Sequence, residues 1–127
     1  MEYVKSFKDL EVYKLSRQLS KEIFEISRKF PREEMYSLTD QVRRSSRSIG
    51  AQIAEAWVRR KYSKHFISKL SDADGEQLET QHWIETALDC EYVTNEVAND
   101  LLHKNASVGK MLNSMMNKAS SFCNKTQ

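Results

Sequence analysis

Apolar residues recur every three or four positions along most of the chain, in four long segments separated by short polar stretches. This spacing is typical of amphipathic helices, each of which packs one face against a shared core. The predicted helices cover residues 8–30, 37–58, 63–91 and 95–122. Their connections are so short that consecutive helices must be antiparallel. Residues 1–127 are therefore predicted to form a single all-α domain, an antiparallel up-down four-helix bundle.

Residues that favour helix starts lie at the predicted boundaries. Ser37, with Asp40 three residues later, resembles the capping box that begins a helix. Ser63 is a candidate N-cap of the third helix, and Thr94 or Asn95 of the fourth. The side chains of these residues are expected to accept hydrogen bonds from the first backbone N–H groups of their helices.

The inward faces of the middle helices follow from the same periodicity. On the second helix, Ser45 and Ser46 fall at inward positions, where small side chains let a neighbouring helix approach closely. The predicted stripe of the third helix contains Phe66, Ile67, Leu70, Ala73, Leu78, Ile84 and Leu88. At 100° per residue, Trp83 projects about 130° away from the centre of that stripe. Trp83 is therefore predicted to point outward.

An outward tryptophan beside small residues is typical of a subunit interface, where aromatic side chains are enriched. The predicted interface combines Gly50, Ala51 and Ala54 on the second helix with Glu76, Trp83 and Ala87 on the third. The alternative is a lone exposed tryptophan, or one tucked against the edge of its own bundle. The first interpretation predicts a homo-oligomer.

The composition excludes several classes of protein. Three glycines and one proline are too few for a β-fold with frequent turns, and charged residues interrupt every stretch that could span a bilayer. With no apolar run at the start fit for a signal peptide, the sequence predicts a cytoplasmic protein without membrane contact. Cys90 and Cys123 are too few for a disulfide framework and are predicted to be buried, reduced thiols.

Charge is distributed unevenly along the chain. The formal net charge is only +2, but ten Lys or Arg residues face four acidic residues between Arg28 and Lys64. Between Leu70 and His103 there are nine acidic residues and neither Lys nor Arg. The basic region favours an anionic partner for the middle of the chain.

Within that region, a candidate nucleic-acid-binding surface consists of Arg43, Arg44, Arg47, Arg59, Arg60 and Lys61. The three helical arginines lie opposite the apolar stripe, and guanidinium groups match phosphate oxygens in pairs. The alternative is a solvated face partly neutralised by Asp40. No interleaved aromatic residues are apparent in this stretch to provide the stacking platform of single-strand binders.

One pattern resembles a metal site. Glu79 and His82, and likewise Asp100 and His103, have the spacing of the Glu-x-x-His pairs in di-iron bundles. Those sites also need an inward carboxylate from each remaining helix, and the candidates lie off their apolar stripes. The sequence therefore predicts no metal, and it contains no nucleophile elbow or glycine-rich loop that would indicate catalysis or a cofactor. A non-enzymatic protein is expected.

Three segments carry a family resemblance. Residues 36–56, YSLTDQVRRSSRSIGAQIAEA, residues 7–13, FKDLEVY, and residues 76–84, EQLETQHWI, resemble the motifs of a bacterial four-helix-bundle family called 23S rRNA intervening-sequence proteins. The similarity covers nearly the whole chain. It implies a protein without established catalytic activity that assembles into a pentameric barrel. It also implies a relation to the accessory proteins of diversity-generating retroelements, which are thought to bind a reverse transcriptase and nucleic acid.

Together these observations predict a non-enzymatic assembly and binding protein. It is expected to be a homo-oligomer, by resemblance a pentamer, that presents a basic surface to RNA, DNA or a nucleic-acid-bound protein. The alternative is a bundle whose partners are purely proteins.

Overall fold

Four long helices make up most of the computed structural model, which describes residues 4–123. They are α1 (Glu11–Ser27), α2 (Asp40–Val58), α3 (Ser63–Asp89) and α4 (Asn95–Asn117), and a single turn, α5 (Ala119–Phe122), follows them. Each long helix packs against the next, and α1 also packs against α4, so the four surround one core. Residues 4–123 contain no β-strand. The predicted antiparallel four-helix bundle is confirmed.

The first helix is shorter than predicted at both ends. Phe7–Asp9 forms a separate 3₁₀ turn, in which the Ser6 side chain accepts from the Lys8 N–H and Asp9 reaches back to the Ser6 N–H. Leu10 is extended, so α1 begins only at Glu11.

Among residues 4–123, no helix combines the length and the apolar character that crossing a membrane requires.

A π-helical turn, Met35–Thr39, leads directly into α2, and Glu34 organises it. One carboxylate oxygen of Glu34 accepts from the Leu38 N–H at 3.4 Å and from the Ser37 hydroxyl at 2.7 Å, while the other accepts from the Tyr92 hydroxyl at 2.8 Å. The hydrogen bonds from Ser37 and Tyr92 lower the pKa of Glu34, and the bond to Glu34 raises the pKa of Tyr92 to about 12. The prediction that Ser37 caps α2 is wrong, because its hydroxyl donates to Glu34 instead.

The other two predicted caps differ in outcome. Thr94 caps α4, since its side chain accepts from the Val97 N–H at 3.2 Å. Ser63 is instead the first residue of α3, which follows extended Tyr62 without a side-chain cap. The antiparallel arrangement therefore depends on packing more than on strong capping at every helix start.

The turn after α3 holds a strained residue. Among the described residues, Glu91 alone of the non-glycine residues has a positive φ, 61°. Its N–H donates to the Leu88 carbonyl and the Tyr92 N–H donates to the Ala87 carbonyl, both at 2.9 Å. These are the two bonds of a Schellman motif, whose left-handed residue is usually glycine.

We expect Glu91→Gly to raise the free energy of unfolding by about 1 kcal/mol, because glycine adopts the left-handed conformation without a Cβ clash. Urea denaturation checks this prediction. Glu91→Ala is the matched control, since it removes the carboxylate but keeps the Cβ. Equal stabilisation by both variants would point to charge instead of backbone strain.

The core consists of two apolar clusters with a polar layer between them. The first cluster includes Ile49, Ile53, Phe66, Leu70, Val108 and Leu112. The second comprises Leu19, Ile23, Val42, Ile84, Ala98 and Leu101. Between them along the helices lie the buried side chains of Ser16, Ser45, Ser46, Gln77, Thr80 and Asn105. Every long helix therefore contributes at least one buried polar residue near its middle.

The polar layer is partly connected by hydrogen bonds. The Thr80 and Ser45 hydroxyl oxygens lie 2.9 Å apart, and the Asn105 side-chain amide donates to the Gln77 carbonyl at 3.0 Å. Asn105 Oδ1 is buried and has no hydrogen-bond partner among the described residues. Gly109 allows α4 to pass this layer closely, since a Cβ there would lie 2.7 Å from Gln77 Oε1.

Candidate nucleic-acid interface

Arginine side chains lie over aromatic rings in the outer groove between α1 and α2. The guanidinium carbons of Arg43, Arg47 and Arg28 are 4.7, 5.5 and 5.7 Å from the centroid of the Phe24 ring. Cations at these distances are attracted to the negative face of an aromatic ring. The half-buried Phe24 ring thus holds three guanidinium groups together at the surface.

The same arrangement recurs about three turns earlier on α1. The Arg17 guanidinium carbon lies 5.9 Å from the centroid of the Tyr13 ring, and Arg17 donates to the Tyr13 hydroxyl at 3.1 Å. Tyr13 itself is held by an edge-to-face contact with Phe7 at 4.9 Å between centroids. We call this surface the α1–α2 groove. Its arginines are Arg17, Arg28, Arg43 and Arg47, and its aromatic floor is Tyr13 and Phe24.

The four arginines of the α1–α2 groove lack ion-pair partners. Among residues 4–123, no carboxylate oxygen lies within 4.0 Å of any of them. Arg43 is positioned by a hydrogen bond of 2.8 Å from its Nε to the buried Ser27 hydroxyl. Asp40 lines the same part of the groove. The guanidinium edges that face solvent are free to bind an anion.

An exposed aromatic residue lies at the end of this groove where α2 begins. Tyr36 is 89% exposed and, with Met35, lines a concave surface together with Arg43 and Arg47. Stacking of bases on such side chains stabilises complexes with single strands. The structure therefore places aromatic residues beside the arginines, both beneath them and next to them, which the sequence order of α2 alone did not reveal.

Arg44 differs from its neighbours because it points toward α3. It forms an ion pair with Glu79, and its other terminal nitrogen lies 3.7 Å from Glu76 Oε1. The hydrogen bond from Trp83, together with the hydrogen bond and charge of Arg44, lowers the pKa of Glu79, whereas burial raises the pKa of Glu76. Arg44 lines the same concave surface as Arg43 and Arg47, but it is paired with carboxylates of α3 and is therefore a weaker candidate for phosphate binding than they are.

The remaining predicted cations lie beyond the opposite end of α2. Arg59 and Lys61 are exposed in the turn, while Arg60 lies 3.6 Å above the Trp57 ring and donates to the Trp57 carbonyl at 2.8 Å. At 1.5 Å per residue, roughly 24 Å separates Arg59 from Arg43 along the helix. The six predicted binding residues therefore do not form one cluster, and Arg17 and Arg28 complete the groove instead.

Of the six predicted subunit-interface residues, two are buried, three are half-buried and only Ala51 is exposed. Gly50 is buried against α1, where a Cβ would lie 3.4 Å from Ser16 Oγ. Ala87 is 2% exposed, and half-buried Trp83 packs against the second apolar cluster while donating to Glu79 Oε2 at 3.0 Å. The prediction that these three residues point outward is wrong. The other three are less buried: Ala51 is exposed and Ala54 half-buried along the α1–α2 groove, and Glu76 is half-buried beside Arg44.

The error on α3 has a simple physical reason. Ile67 and Leu78 belong to the predicted inward stripe but are 37% and 57% exposed, whereas Gln77 and Thr80 are buried. The centre of the predicted α3 stripe was therefore displaced, because two of its apolar residues lie outside the core and two polar residues lie inside it. Relative to the buried residues, Trp83 lies only about 90° from the centre, at the edge of the packed face.

The metal-like pairs are engaged in other contacts. Glu79 binds Arg44 and Trp83, and Asp100 accepts from Lys104, which also bridges to Glu22 on α1. Hydrogen bonds to Glu22 and Asp100 raise the pKa of Lys104. In the part of the chain that the structure describes, no three His, Cys, Asp or Glu residues lie close enough together to hold a metal ion.

The two cysteines lie at opposite ends of α3. Cys90 follows its last residue and is exposed, which corrects the prediction that it is buried. Cys123 is half-buried and follows Phe122, whose ring stacks on Phe66 near the start of α3, 6.0 Å away between centroids. Burial raises the pKa of the Cys123 thiol.

We expect Cys90 and Cys123 to remain unbridged within one subunit, because about 36 Å of helix separates Phe66 from Cys90 and a disulfide needs Cα atoms within about 7 Å. Alkylation of the native protein followed by mass spectrometry should show two free thiols. Cys90 should react first, as it is exposed. An intramolecular disulfide in native protein would contradict the antiparallel arrangement.

Comparisons with known proteins agree with the fold. A family model described as 23S rRNA-intervening sequence protein matches residues 8–114. A crystal structure of a Bacteroides thetaiotaomicron protein of unknown function, from the S23 ribosomal protein family, is 29% identical, with a TM-score of 0.75. The match covers 83% of this chain and 97% of the other. None of the curated proteins matches the sequence.

Proposed function

Because the chain belongs to the 23S rRNA-intervening sequence protein family, we propose that it is a non-enzymatic, homo-oligomeric protein that binds the phosphate backbone of nucleic acid through the α1–α2 groove. The observation that carries this proposal is the row of four arginines on an aromatic floor without carboxylate partners. A protein that binds no anionic ligand gains nothing from concentrating unpaired guanidinium groups on one face of its surface.

The groove suits phosphates for two reasons. A guanidinium stacked on a ring keeps its N–H groups directed sideways, where they can bind two phosphate oxygens at once. Arg17 and Arg28 lie eleven residues apart, about 16 Å along α1, which matches the rise of roughly five base pairs. Contacts to phosphates do not distinguish one base from another, so the groove should show little sequence preference.

Self-association would strengthen weak contacts of this kind. The family resemblance implies a pentamer, and a closed ring repeats the α1–α2 groove once per subunit. When several grooves bind one strand, each further contact is intramolecular and the overall affinity rises without new chemistry. A modest net charge of +2 per chain is then compatible with useful affinity.

The proposal is tested by fluorescence anisotropy with labelled single-stranded and duplex RNA and DNA of matched sequence, starting at low ionic strength. We expect binding whose logarithmic affinity falls linearly with the logarithm of salt concentration, since counterions are released from the phosphates. Absence of binding at low salt to all four probes would remove the nucleic-acid function. The purely protein-binding bundle would then be the better description.

A further inference from the structure

One face of α3 is exposed along the whole helix. Its residues recur at steps of three and four, the spacing of a seam along which a second helix packs at a small crossing angle. They are Lys64, Ile67, Ser71, Gly75, Leu78, His82, Glu85 and Asp89, and every one is exposed. We call this set the α3 stripe. Within residues 4–123, none of the other helices buries it.

The middle of the α3 stripe has the character of a helix–helix contact. Leu78 is 57% exposed and Ile67 is 37% exposed. Both are large apolar side chains, and a face that only contacts water does not require them. Gly75 lies mid-helix, where glycine costs about 0.5–1 kcal/mol relative to alanine. Nothing lies within 4 Å of the position its Cβ would take, so no contact inside the subunit requires a glycine. A closely approaching outside helix would.

The ends of the stripe carry opposite charges. Lys64 lies in the first turn of α3, and Glu85 and Asp89 lie near its end. Lys64 and Glu85 are equally far from the midpoint between Asp74 and Gly75. An antiparallel copy of the same helix, crossing at that midpoint, therefore brings each Lys64 opposite the Glu85 of the other copy. The same crossing sets Leu78 opposite Ser71 and Ile67 opposite His82.

From this self-complementarity we propose that the α3 stripe binds a second copy of this chain in a two-fold symmetric, antiparallel contact. Such an interface is isologous, so each pairing occurs twice. It also places the partially positive start of each α3 beside the partially negative end of the other. The contact leaves the α1–α2 groove free, because α1 packs against α2 and α4 and so lies across the bundle from α3. It is independent of nucleic-acid binding.

A charge-reversal cycle tests the contact, with Lys64→Glu, Glu85→Lys and the double variant compared by sedimentation equilibrium. Within one chain these residues are 21 positions apart, about 31 Å along α3, well beyond the screening length of about 10 Å. Coupling between them can therefore only arise between copies. We expect each single variant to weaken association roughly tenfold and the double variant to restore it. Losses that add in the double variant, or unchanged association in all three, would overturn the proposal.

Cross-linking gives a second readout that does not depend on charge. In a background with Cys90→Ser and Cys123→Ser, Gly75→Cys lies beside the two-fold axis and should be joined to its own copy by a short bis-maleimide. Ser114→Cys, exposed on α4, is the control and should not be joined. Equal cross-linking at both positions, or none at Gly75→Cys, contradicts the contact. A pentamer without coupling between Lys64 and Glu85 would likewise reject it while leaving the ring and the nucleic-acid proposal intact.

Discussion

Replacing all four arginines of the α1–α2 groove with glutamine is expected to lower nucleic-acid affinity at low salt by roughly a hundredfold or more. Each lost contact to a phosphate removes one site of counterion release. The slope of log affinity against log salt should therefore become shallower by about three for four contacts. Anisotropy titrations over a series of salt concentrations measure both quantities. The variant also loses the contacts of its guanidinium groups with Phe24 and Tyr13 and the hydrogen bond from Arg43 to Ser27, so its free energy of unfolding is measured beside that of the unchanged protein.

Paired substitutions separate the groove from net charge. Arg43→Gln with Arg47→Gln removes two charges from the groove, and Lys110→Gln with Lys118→Gln removes two from exposed positions on or just after α4. Only the first pair should weaken binding substantially. An equal loss in the α4 pair would mean that binding follows overall charge, and the groove would lose its assignment. Arg44→Gln should mainly affect stability, since Arg44 is paired with Glu79.

Trp83→Ala is expected to lower the free energy of unfolding by about 2–4 kcal/mol. Its indole packs against the second apolar cluster and lines a small apolar cavity with Phe30 and Val93. Truncation removes that packing and enlarges the cavity, and it also takes away the hydrogen bond to Glu79. Urea denaturation, with the mass of the assembly measured in parallel, checks the prediction.

Trp83→Phe is the matched control for this experiment. It keeps most of the ring but not the N–H donor, so it should cost only about 1 kcal/mol. Had the outward interpretation of Trp83 been right, Trp83→Ala would instead dissociate the oligomer and leave the folded subunit nearly as stable as before. That pattern of results would contradict the packing described above.

Periodicity was sufficient for the number, order and approximate bounds of the long helices, because each helix records its buried face in its own sequence. It was insufficient where the core is polar. Gln77 and Thr80 are buried, whereas Ile67 and Leu78 are not. A helical wheel takes the inward direction from apolar residues alone, so the predicted inward direction of α3 was wrong by roughly 45°. The outward assignment of Trp83 followed from that error.

The candidate site needed the structure for a different reason. Arg43 and Arg47 could be placed on the outer face of α2, but their contact with Phe24 depends on how α1 rotates against α2. A local signal was available, since an arginine follows an aromatic residue at a distance of four both in Tyr13–Arg17 and in Phe24–Arg28. Residues four apart are neighbours on a helix surface. That α1 and α2 bring these pairs together with Arg43 follows only from tertiary packing.

The polar layer between the two apolar clusters has a consequence for helix register. A helix that slid by one turn, about 5.4 Å, would carry its buried polar residue into one of the apolar clusters. Asn105 would lose the Gln77 carbonyl, and Ser45 would lose Thr80. A buried polar group left without a partner costs about 1–3 kcal/mol. Apolar contacts alone tolerate such slippage, so the polar residues near the middle of each helix select a single vertical alignment of the bundle.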